Sequence, residues 1–273
     1  MMRDYPEIIE HYGSAAEHER LASPVGRLEM LRTQSSLERF LPEPPALVYD
    51  VGGGTGPYAS WLAARGYEAH LIDLVPDHIE QARRARSSGP GSIRSFAVGD
   101  ARQLDVDAEV ADAVLLLGPL YHLPEHEDRL ACWREAHRIL RPGGVVVAAI
   151  ISRFASLLDG LHRNLVADPA FRGMLEKDLA SGVHRNETDN PEYFTTAYLQ
   201  RPSEAETECL AAGLALVSTV AVEGPAWLLP DLEEWMAKGP QRQRLLDLIA
   251  RVEAEPSLLG VSAHILIVAR KPE

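Results

Sequence analysis

The chain has 273 residues, 46% of them hydrophobic and 25% charged, a composition typical of globular proteins that excludes disordered, collagen-like and low-complexity classes. Its 27 basic and 40 acidic residues give a formal net charge of −13 at pH 7. Because this charge repels phosphate backbones and anionic lipids, nucleic acid and membrane surfaces are unfavourable partners. The longest apolar runs, at 114–117 and 145–151, are far shorter than the ~18 residues that indicate a membrane span.

The two cysteines, Cys132 and Cys209, are too few for a disulfide framework and do not form a CxxC pair. We therefore expect reduced thiols that serve in packing, with no zinc site. The first twenty residues carry charges where a secretory signal has an apolar region. These features predict a cytoplasmic protein.

In chain order, short aliphatic runs alternate with helical patterns, which is typical of a parallel sheet covered by helices on both faces. The predicted strands are 46–51, 67–73, 92–98, 112–117, 145–151, 214–222 and 261–269. The predicted helices are 57–65, 76–86, 125–140, 203–213 and 230–254. The fold class is therefore α/β, with a seven-stranded, mostly parallel sheet.

The last strands come from distant segments, so residues 1–273 are predicted to form a single domain. Residues 152–202 contain helical patches separated by proline and glycine, and we interpret them as an insertion rather than as sheet, a helical lid. Residues 224–258 are predicted as a second helical insertion, before the last strand.

A glycine-rich segment, DVGGGTG at 50–56, stands between the first strand and the first helix of the sheet. Glycines there allow close approach of a ligand, and the helix N-terminus adds partial positive charge. The segment can also be no more than a tight strand-to-helix connection. A dinucleotide fingerprint would need a third glycine at position 57, where the chain has Pro57, and this argues against NAD.

Two carboxylates follow the next strands. Asp73 ends the second strand, where a carboxylate can accept hydrogen bonds from a ribose diol, although a helix cap is an equal alternative. Asp100 follows the third strand at the same sheet edge, where open α/β folds bind ligands. Together they indicate a nucleoside ligand.

These motifs, in this order, resemble the class I S-adenosylmethionine-dependent methyltransferases. The resemblance is carried by DVGGGTG at 50–56, Asp73, GDA at 99–101, DAVLLLGPLYHL at 112–123 and RPGG at 141–144. It covers roughly residues 46–151. It implies a Rossmann-like fold and S-adenosylmethionine as cofactor.

The resemblance also implies a set of cofactor-binding residues. They are Asp50, Gly52, Gly53, Gly54 and Gly56 at the methionine end, Asp73 and Leu74 at the ribose, Asp100 and Ala101 at the adenine, and Leu117 and Gly118 after the fourth strand. In the family the segment before the first strand commonly covers the cofactor. Residues 1–45 are therefore expected to form a helical cover, with Tyr12 and Arg20 closing the site unless they are ordinary helix surface.

Methyl transfer needs alignment, exclusion of water and, for a neutral acceptor, removal of a proton. Tyr121 and His122 follow the fourth strand and are the predicted catalytic residues, with His122 as the base. The alternative for His122 is a structural role in the loop. Asp100 and Asp112 show no metal-ligand spacing with other residues, so we predict no metal.

The acceptor is predicted to be a small molecule. Amino-directed nucleic-acid methyltransferases carry an Asn/Asp-Pro-Pro-aromatic run where this chain has GPLY at 118–121. The candidate acceptor-binding residues, each also explicable by loop packing or surface ion pairs, are Arg153, Tyr193, Tyr198, Glu223 and Trp227.

The sequence thus predicts methyl transfer from S-adenosylmethionine to an oxygen or nitrogen atom of a small acceptor. One alternative is a cofactor-binding protein of this fold with a regulatory or partner-subunit role. An NAD-dependent oxidoreductase is the other, disfavoured by Pro57. Monomer and homodimer both remain open.

Overall fold

The computed structural model describes residues 23–85, 91–188 and 190–273. Within these ranges the strands are β1 (Leu47–Val51), β2 (Glu68–Asp73), β3 (Ser95–Val98), β4 (Ala111–Leu116), β5 (Leu140–Ser152), β6 (Val183–His184), β7 (Ala197–Gln200), β8 (Ala215–Ala221) and β9 (His264–Arg270). The α-helices are α1 (Pro24–Phe40), α2 (Pro57–Ala63), α3 (Pro76–Ala85), α4 (His126–Ile139), α5 (Ala155–His162), α6 (Pro169–Ser181), α7 (Pro202–Ala211), α8 (Leu232–Trp235) and α9 (Pro240–Val252). None of the helices in these ranges combines the length and the apolar sequence needed to span a bilayer.

The main sheet has the strand order β3-β2-β1-β4-β5-β9-β8. The first five strands run parallel, and β9 lies antiparallel between β5 and β8. The predicted α/β class with a mostly parallel sheet is therefore confirmed. Because β9 runs in the opposite direction, its first residue lies at the edge where the parallel strands end.

The predicted strand count of seven is wrong, because the described residues form nine strands. The two additional strands, β6 and β7, lie in segment 152–202, which the sequence predicted to lack sheet. Leu199 and Gln200 of β7 pair in parallel with the last two residues of β5, Ile151 and Ser152. The other side of Ile151 pairs with His264, so β7 occupies the side of β5 that β4 occupies further down. Strands of two and four residues are too short for their periodicity to be recognised.

Two further boundaries differ from the predictions. The helix expected at 230–254 is divided into α8 and α9, because Gly239 has a positive φ of 128° and Pro240 starts a new helix. The RPGG segment lies inside β5, which begins at Leu140, and a register shift against β4 absorbs the additional residues. The strand predicted at 145–151 therefore begins five residues earlier, with a bulge at RPGG.

Helices cover both faces of the sheet. On one face, Trp133 of α4 and Cys209 of α7 pack against buried residues of β4 and β5, and both cysteines are free and buried. On the other face, α1, α2 and α3 contribute Leu37, Leu62 and Ile79 to a second core. Helix α1 is therefore part of the core packing.

A buried ion pair fixes helix α1 to the C-terminal part of the chain. Arg32 of α1 pairs with Glu253, which follows α9, and donates a second hydrogen bond to the carbonyl of Val222 at 3.1 Å. Removing one partner of such a pair leaves an uncompensated buried charge. Helix α1 is thereby held beside the turn that follows β8.

Candidate active site

The glycine turn between β1 and α2 requires glycine for two reasons. Gly52, Gly54 and Gly56 have positive φ values of 69°, 59° and 79°. A Cβ atom on Gly52 would also lie 2.6 Å from Cγ of Pro119. On the opposite side of this contact, a Cβ atom on Gly118 would lie 2.8 Å from the carbonyl oxygen of Gly52. The turn after β1 and the turn after β4 therefore pack directly against each other. Their backbone atoms lie at the edge of the sheet where the parallel strands end.

Asp50 lies buried beneath this turn. A Cβ on Gly53 would lie 2.6 Å from its Cγ. Its Oδ2 accepts a hydrogen bond from the Ala59 amide at 3.1 Å, whereas Oδ1 is buried and accepts none from the described residues. Burial raises the pKa of Asp50 to about 7, and the charge of Asp73 adds to this effect. The site thus contains a buried acceptor suited to a cationic or hydrogen-bonding ligand.

Asp73 connects the glycine turn to helix α3. Its Oδ2 accepts a hydrogen bond from the Gly54 amide at 2.7 Å, and its Oδ1 accepts one from the Val75 amide at 2.9 Å. The ring Nδ1 of His78 lies 3.1 Å from Oδ1. The capping contacts are present, and since a carboxylate has about four acceptor sites, they leave room for a ribose hydroxyl. Leu74 beside it is 39% exposed.

Asp100, after β3, forms an ion pair with Arg102. Nη2 of Arg102 lies 2.6 Å from its Oδ2, and Nη1 lies 3.2 Å from Asp128. Burial raises the pKa of Asp100, but the hydrogen bonds from Arg102 outweigh it and the net shift is downward. The pair holds the turn that carries Ala101, which is half-buried. The sequence reasoning did not recognise Arg102 as a partner.

The predicted catalytic residues lie in the turn after β4. Tyr121 donates its hydroxyl hydrogen to the carbonyl oxygen of Leu117 at 3.1 Å. Nδ1 of His122 lies 3.3 Å from the carbonyl oxygen of Thr196, and its ring centroid is 5.9 Å from that of Phe194. The segment leading into β7 therefore forms a wall of the site beside this turn.

Two of the predicted acceptor-binding residues, Arg153 and Tyr198, join segment 152–202 to the rest of the fold, whereas Tyr193 forms a contact within that segment. Arg153 is buried, donating from Nε to the Leu199 carbonyl at 2.6 Å and pairing with Glu204 at 2.9 Å. The ring of Tyr198 lies 3.7 Å from the guanidinium carbon of Arg129. Tyr193 has another contact, because its hydroxyl donates to Asp168 at 2.6 Å. The structure brings Arg153 and Tyr198 together, because Nη2 of Arg153 lies 3.4 Å from the Tyr198 hydroxyl oxygen, whereas the Tyr193 ring packs against Phe171.

The other two lie after β8. Trp227 donates from Nε1 to the Val261 carbonyl at 2.8 Å. Glu223 is fully buried, with its Oε1 at 2.7 Å from Nδ1 of His264 and its Oε2 accepting from Ser262 Oγ at 2.8 Å. Burial raises the pKa of Glu223, but the interactions with His264 outweigh it and lower the pKa below its usual value.

Sequence reasoning missed His264 and Glu29 as site residues. Oε2 of Glu29, on α1, lies 4.0 Å from Nδ1 of His264. Glu29, Glu223 and His264 each place an oxygen or nitrogen atom within 4.8 Å of the others, a grouping that can suit a divalent cation. Hydrogen bonds from Ser262 and His264 already account for the carboxylate oxygens of Glu223. We therefore interpret the group as a hydrogen-bonded carboxylate–histidine cluster. Tyr12 and Arg20 lie outside the described residues.

Comparison with known proteins gives a family model and several relatives. Residues 49–148 match the model described as a methyltransferase domain. The chain is 32% identical over 146 residues to the methyltransferase GfsG of Streptomyces halstedii, covering 52% of this chain and 51% of that protein. It is 28% identical over 127 residues to UbiE of Caulobacter sp. (strain K31), named a ubiquinone/menaquinone biosynthesis C-methyltransferase, covering 44% and 49%.

Among solved structures, the fold is similar to that of a SAM-dependent methyltransferase from Methanosarcina mazei. The TM-score is 0.59 at 17% identity, covering 86% of this chain and 96% of that one. This likeness establishes the fold. The chain spans about half the length of the curated relatives it matches.

Proposed function

We propose that this chain is a class I S-adenosylmethionine-dependent methyltransferase, because residues 49–148 match the methyltransferase-domain model. It transfers the methyl group of this cofactor to an oxygen or nitrogen atom of a small molecule. The observation that carries the proposal is the glycine turn above Asp50. There one oxygen of the buried Asp50 carboxylate has no hydrogen-bond donor among the described residues. The turn above it consists of glycines, and Cβ atoms on Gly52 or Gly53 would clash with Pro119 or with Asp50 itself.

The residues of this edge fit the cofactor. Asp50 offers an acceptor for the positively charged methionine end, and Asp73 has one remaining acceptor site for a ribose hydroxyl. Leu74 and Val98, both exposed apolar side chains at the ends of β2 and β3, provide a surface for an adenine ring. Asp100 acts through the turn that it holds with Arg102.

When bound, the cofactor supplies an already activated methyl group on a sulfonium. The chain has to hold an acceptor in line with that group and exclude water. The packed turns after β1 and β4 fix the backbone on the cofactor side. Tyr121, His122 and Phe194 form an aromatic wall on the acceptor side, continuing into β7.

A small acceptor is favoured over nucleic acid by the net charge of −13. The GPLY sequence at 118–121 also lacks the Pro-Pro-aromatic run of amino-directed nucleic-acid enzymes. Because UbiE of Caulobacter is named a C-methyltransferase, the choice of oxygen or nitrogen is part of our proposal.

Titration calorimetry with S-adenosylhomocysteine and with NADH tests the cofactor. We expect binding of the first and none of the second, and the reverse result would refute the proposal. Asp73→Ala should weaken binding of S-adenosylhomocysteine by roughly 2–4 kcal/mol through lost charge-assisted hydrogen bonds. Asp112→Ala is the matched control, because Asp112 bonds the Leu47 amide and Arg141 at the opposite edge of the sheet.

Activity is tested with methyl-labelled S-adenosylmethionine and a panel of small phenols, catechols, amines and heteroaromatic compounds. Labelled product on oxygen or nitrogen supports the proposal. Label on carbon would correct the acceptor atom. Cofactor binding without transfer to any compound of the panel would favour the regulatory alternative.

A further inference from the structure

His264 lies at the acceptor side of the proposed site although its strand runs antiparallel to both neighbouring strands, β5 and β8. It is the first residue of β9 and pairs with Ile151 near the end of β5. Its ring centroid is 6.4 Å from that of Tyr121, which follows β4. The sheet topology therefore brings this histidine to the turn that carries the predicted catalytic residues.

Glu223 fixes the ring of His264. The carboxylate is fully buried, and its pKa is lowered because the interactions with His264 outweigh the effect of burial. It accepts hydrogen bonds from the His264 amide at 2.9 Å and from Ser262 Oγ at 2.8 Å, and Nδ1 of His264 lies 2.7 Å from its other oxygen. An ionised carboxylate can only accept, so Nδ1 carries a proton. In the neutral ring, Nε2 is then the basic nitrogen.

Several groups determine the charge of this ring. Glu223 lies beyond the end of β8, Glu29 lies on α1 with Oε2 at 4.0 Å from Nδ1, and the ring of Tyr121 lies beyond β4. The two carboxylates stabilise the imidazolium that forms when Nε2 takes up a proton. The arrangement of a buried carboxylate behind a histidine is the one that orients a base and supports its charged form.

His122 has a weaker electrostatic partner at Nδ1. That atom lies 3.3 Å from the neutral carbonyl of Thr196, whereas Nδ1 of His264 lies 2.7 Å from a carboxylate. Hydrogen bonds to charged acceptors are roughly twice as strong as those between neutral groups. His122 is also more buried, and its contact fixes the β4 turn against the segment before β7.

We propose that His264, oriented by Glu223, accepts the proton that the acceptor loses during methyl transfer; this inference rests on the proposed function. The acceptor heteroatom forms a bond to the methyl carbon while the carbon–sulfur bond breaks and its electron pair remains on sulfur. The proton of the heteroatom passes to Nε2 of His264, and the imidazolium then releases a proton to water.

The protonation state is tested without an acceptor, by nitrogen NMR of the full chain labelled with ¹⁵N-histidine. We expect a neutral His264 ring at ~pH 8 with its proton on Nδ1. His184 is an internal control for a ring with protons on both nitrogens. Its Nδ1 lies 2.9 Å from Asp178 and its Nε2 lies 2.6 Å from the Tyr193 carbonyl oxygen, so both nitrogens face acceptors. A His264 ring that remains imidazolium at ~pH 9, or carries its neutral proton on Nε2, overturns the proposal.

The kinetic test uses the best acceptor from the labelled-methyl panel. His264→Gln should lower the rate of methyl transfer about 10²–10⁴-fold and remove the acidic limb of the pH–rate profile, with affinity for S-adenosylhomocysteine retained. Glu223→Gln should shift that limb. His137→Gln is the control, because this histidine lies near Lys271 and Glu109 at the opposite edge.

The two levels of inference fail separately. Loss of the acidic limb in His122→Gln, with the limb intact in His264→Gln, assigns the base to His122 and overturns this proposal. Failure of the wild-type chain to bind S-adenosylhomocysteine overturns the proposed function instead.

Discussion

Asp50→Asn removes a carboxyl group that the fold buries completely beneath the glycine turn. Burial raises the pKa of Asp50 from 3.8 to about 7, so the native protein retains this proton to a higher pH than the unfolded chain. Between these two values the native state binds more protons than the unfolded state. The free energy of unfolding therefore decreases as pH rises through this window.

The size of the effect follows from the interval between 3.8 and about 7. At ~1.36 kcal/mol for each pH unit, Asp50 contributes a decrease of about 4 kcal/mol in the free energy of unfolding. The decrease is absent below ~pH 4 and complete above ~pH 7, so the stability that the protonated carboxyl retains is present at low pH and lost as pH rises. In the variant, asparagine can still accept from Ala59, and its amide group costs about 1–3 kcal/mol at every pH if it lacks a partner.

Urea unfolding of both proteins from ~pH 5 to ~pH 8 measures the difference. All other titrating groups are common to the two proteins, so the difference between the curves isolates Asp50. We expect the variant to gain about 3 kcal/mol relative to the wild type across this range. Curves that remain parallel would refute the assignment of a raised pKa.

The same carboxyl couples ligand binding to proton release. The ammonium group of S-adenosylhomocysteine favours the ionised form of Asp50, so binding at ~pH 6 should release a proton. Calorimetry in two buffers of different ionisation enthalpy measures that proton. Asp50→Asn should bind without releasing it, and equal proton release by the two proteins would contradict the proposed location of the methionine end.

Gly52→Ala and Gly54→Ala both place alanine at a positive φ, but only Gly52→Ala adds a contact at 2.6 Å with Pro119. In urea unfolding, Gly52→Ala should therefore be less stable than Gly54→Ala by ~1–3 kcal/mol. Equal losses of stability in the two variants would contradict the packing of the two turns. Burial lowers the pKa of His184, but the hydrogen bond that His184 donates to Asp178, together with the charge of Asp178, outweighs it and raises the pKa above 6.5. The stability that this ion pair adds is therefore present below pH 6.5 and lost as pH rises through the raised pKa of His184. Asp178→Asn should remove this pH-dependent loss of stability, which hydrogen exchange of residues 183–196 measures. A wild-type decline that persists in the variant would disprove the link. Because hydrogen bonds satisfy the carboxylate–histidine cluster, a chelator should leave methyl transfer unchanged, and loss of activity that a divalent cation restores would show the opposite.

The sequence was sufficient to predict the cofactor half of the fold. The strands β1, β2 and β4 are short segments rich in aliphatic residues that end at an acidic residue or shortly before a glycine, and each signal is local. Asp50 and Asp73 could therefore be assigned to one edge of the sheet from the order of these runs alone. Parallel strands necessarily bring their ends together there.

The acceptor half could not be predicted in the same way, because its contacts join distant residues. His264 belongs to this edge only because β9 runs antiparallel, and nothing in its own segment indicates direction. Arg153 and Tyr198 are residue types common in ligand pockets, yet they join segment 152–202 to the sheet and to helices α4 and α7. Residue type alone does not distinguish these two uses.

The pairing of β7 with the end of β5 has a consequence for how the protein can diversify. The chain leaves the sheet after Ser152 and returns at Gln200, and these two residues are paired neighbours. The segment between them begins and ends at one point of the sheet, and it contacts α4, α7 and the turn after β4 through Tyr198, Arg153 and Thr196. A change of length confined to the part of this segment that makes none of these contacts therefore leaves the glycine turn and its carboxylates in place.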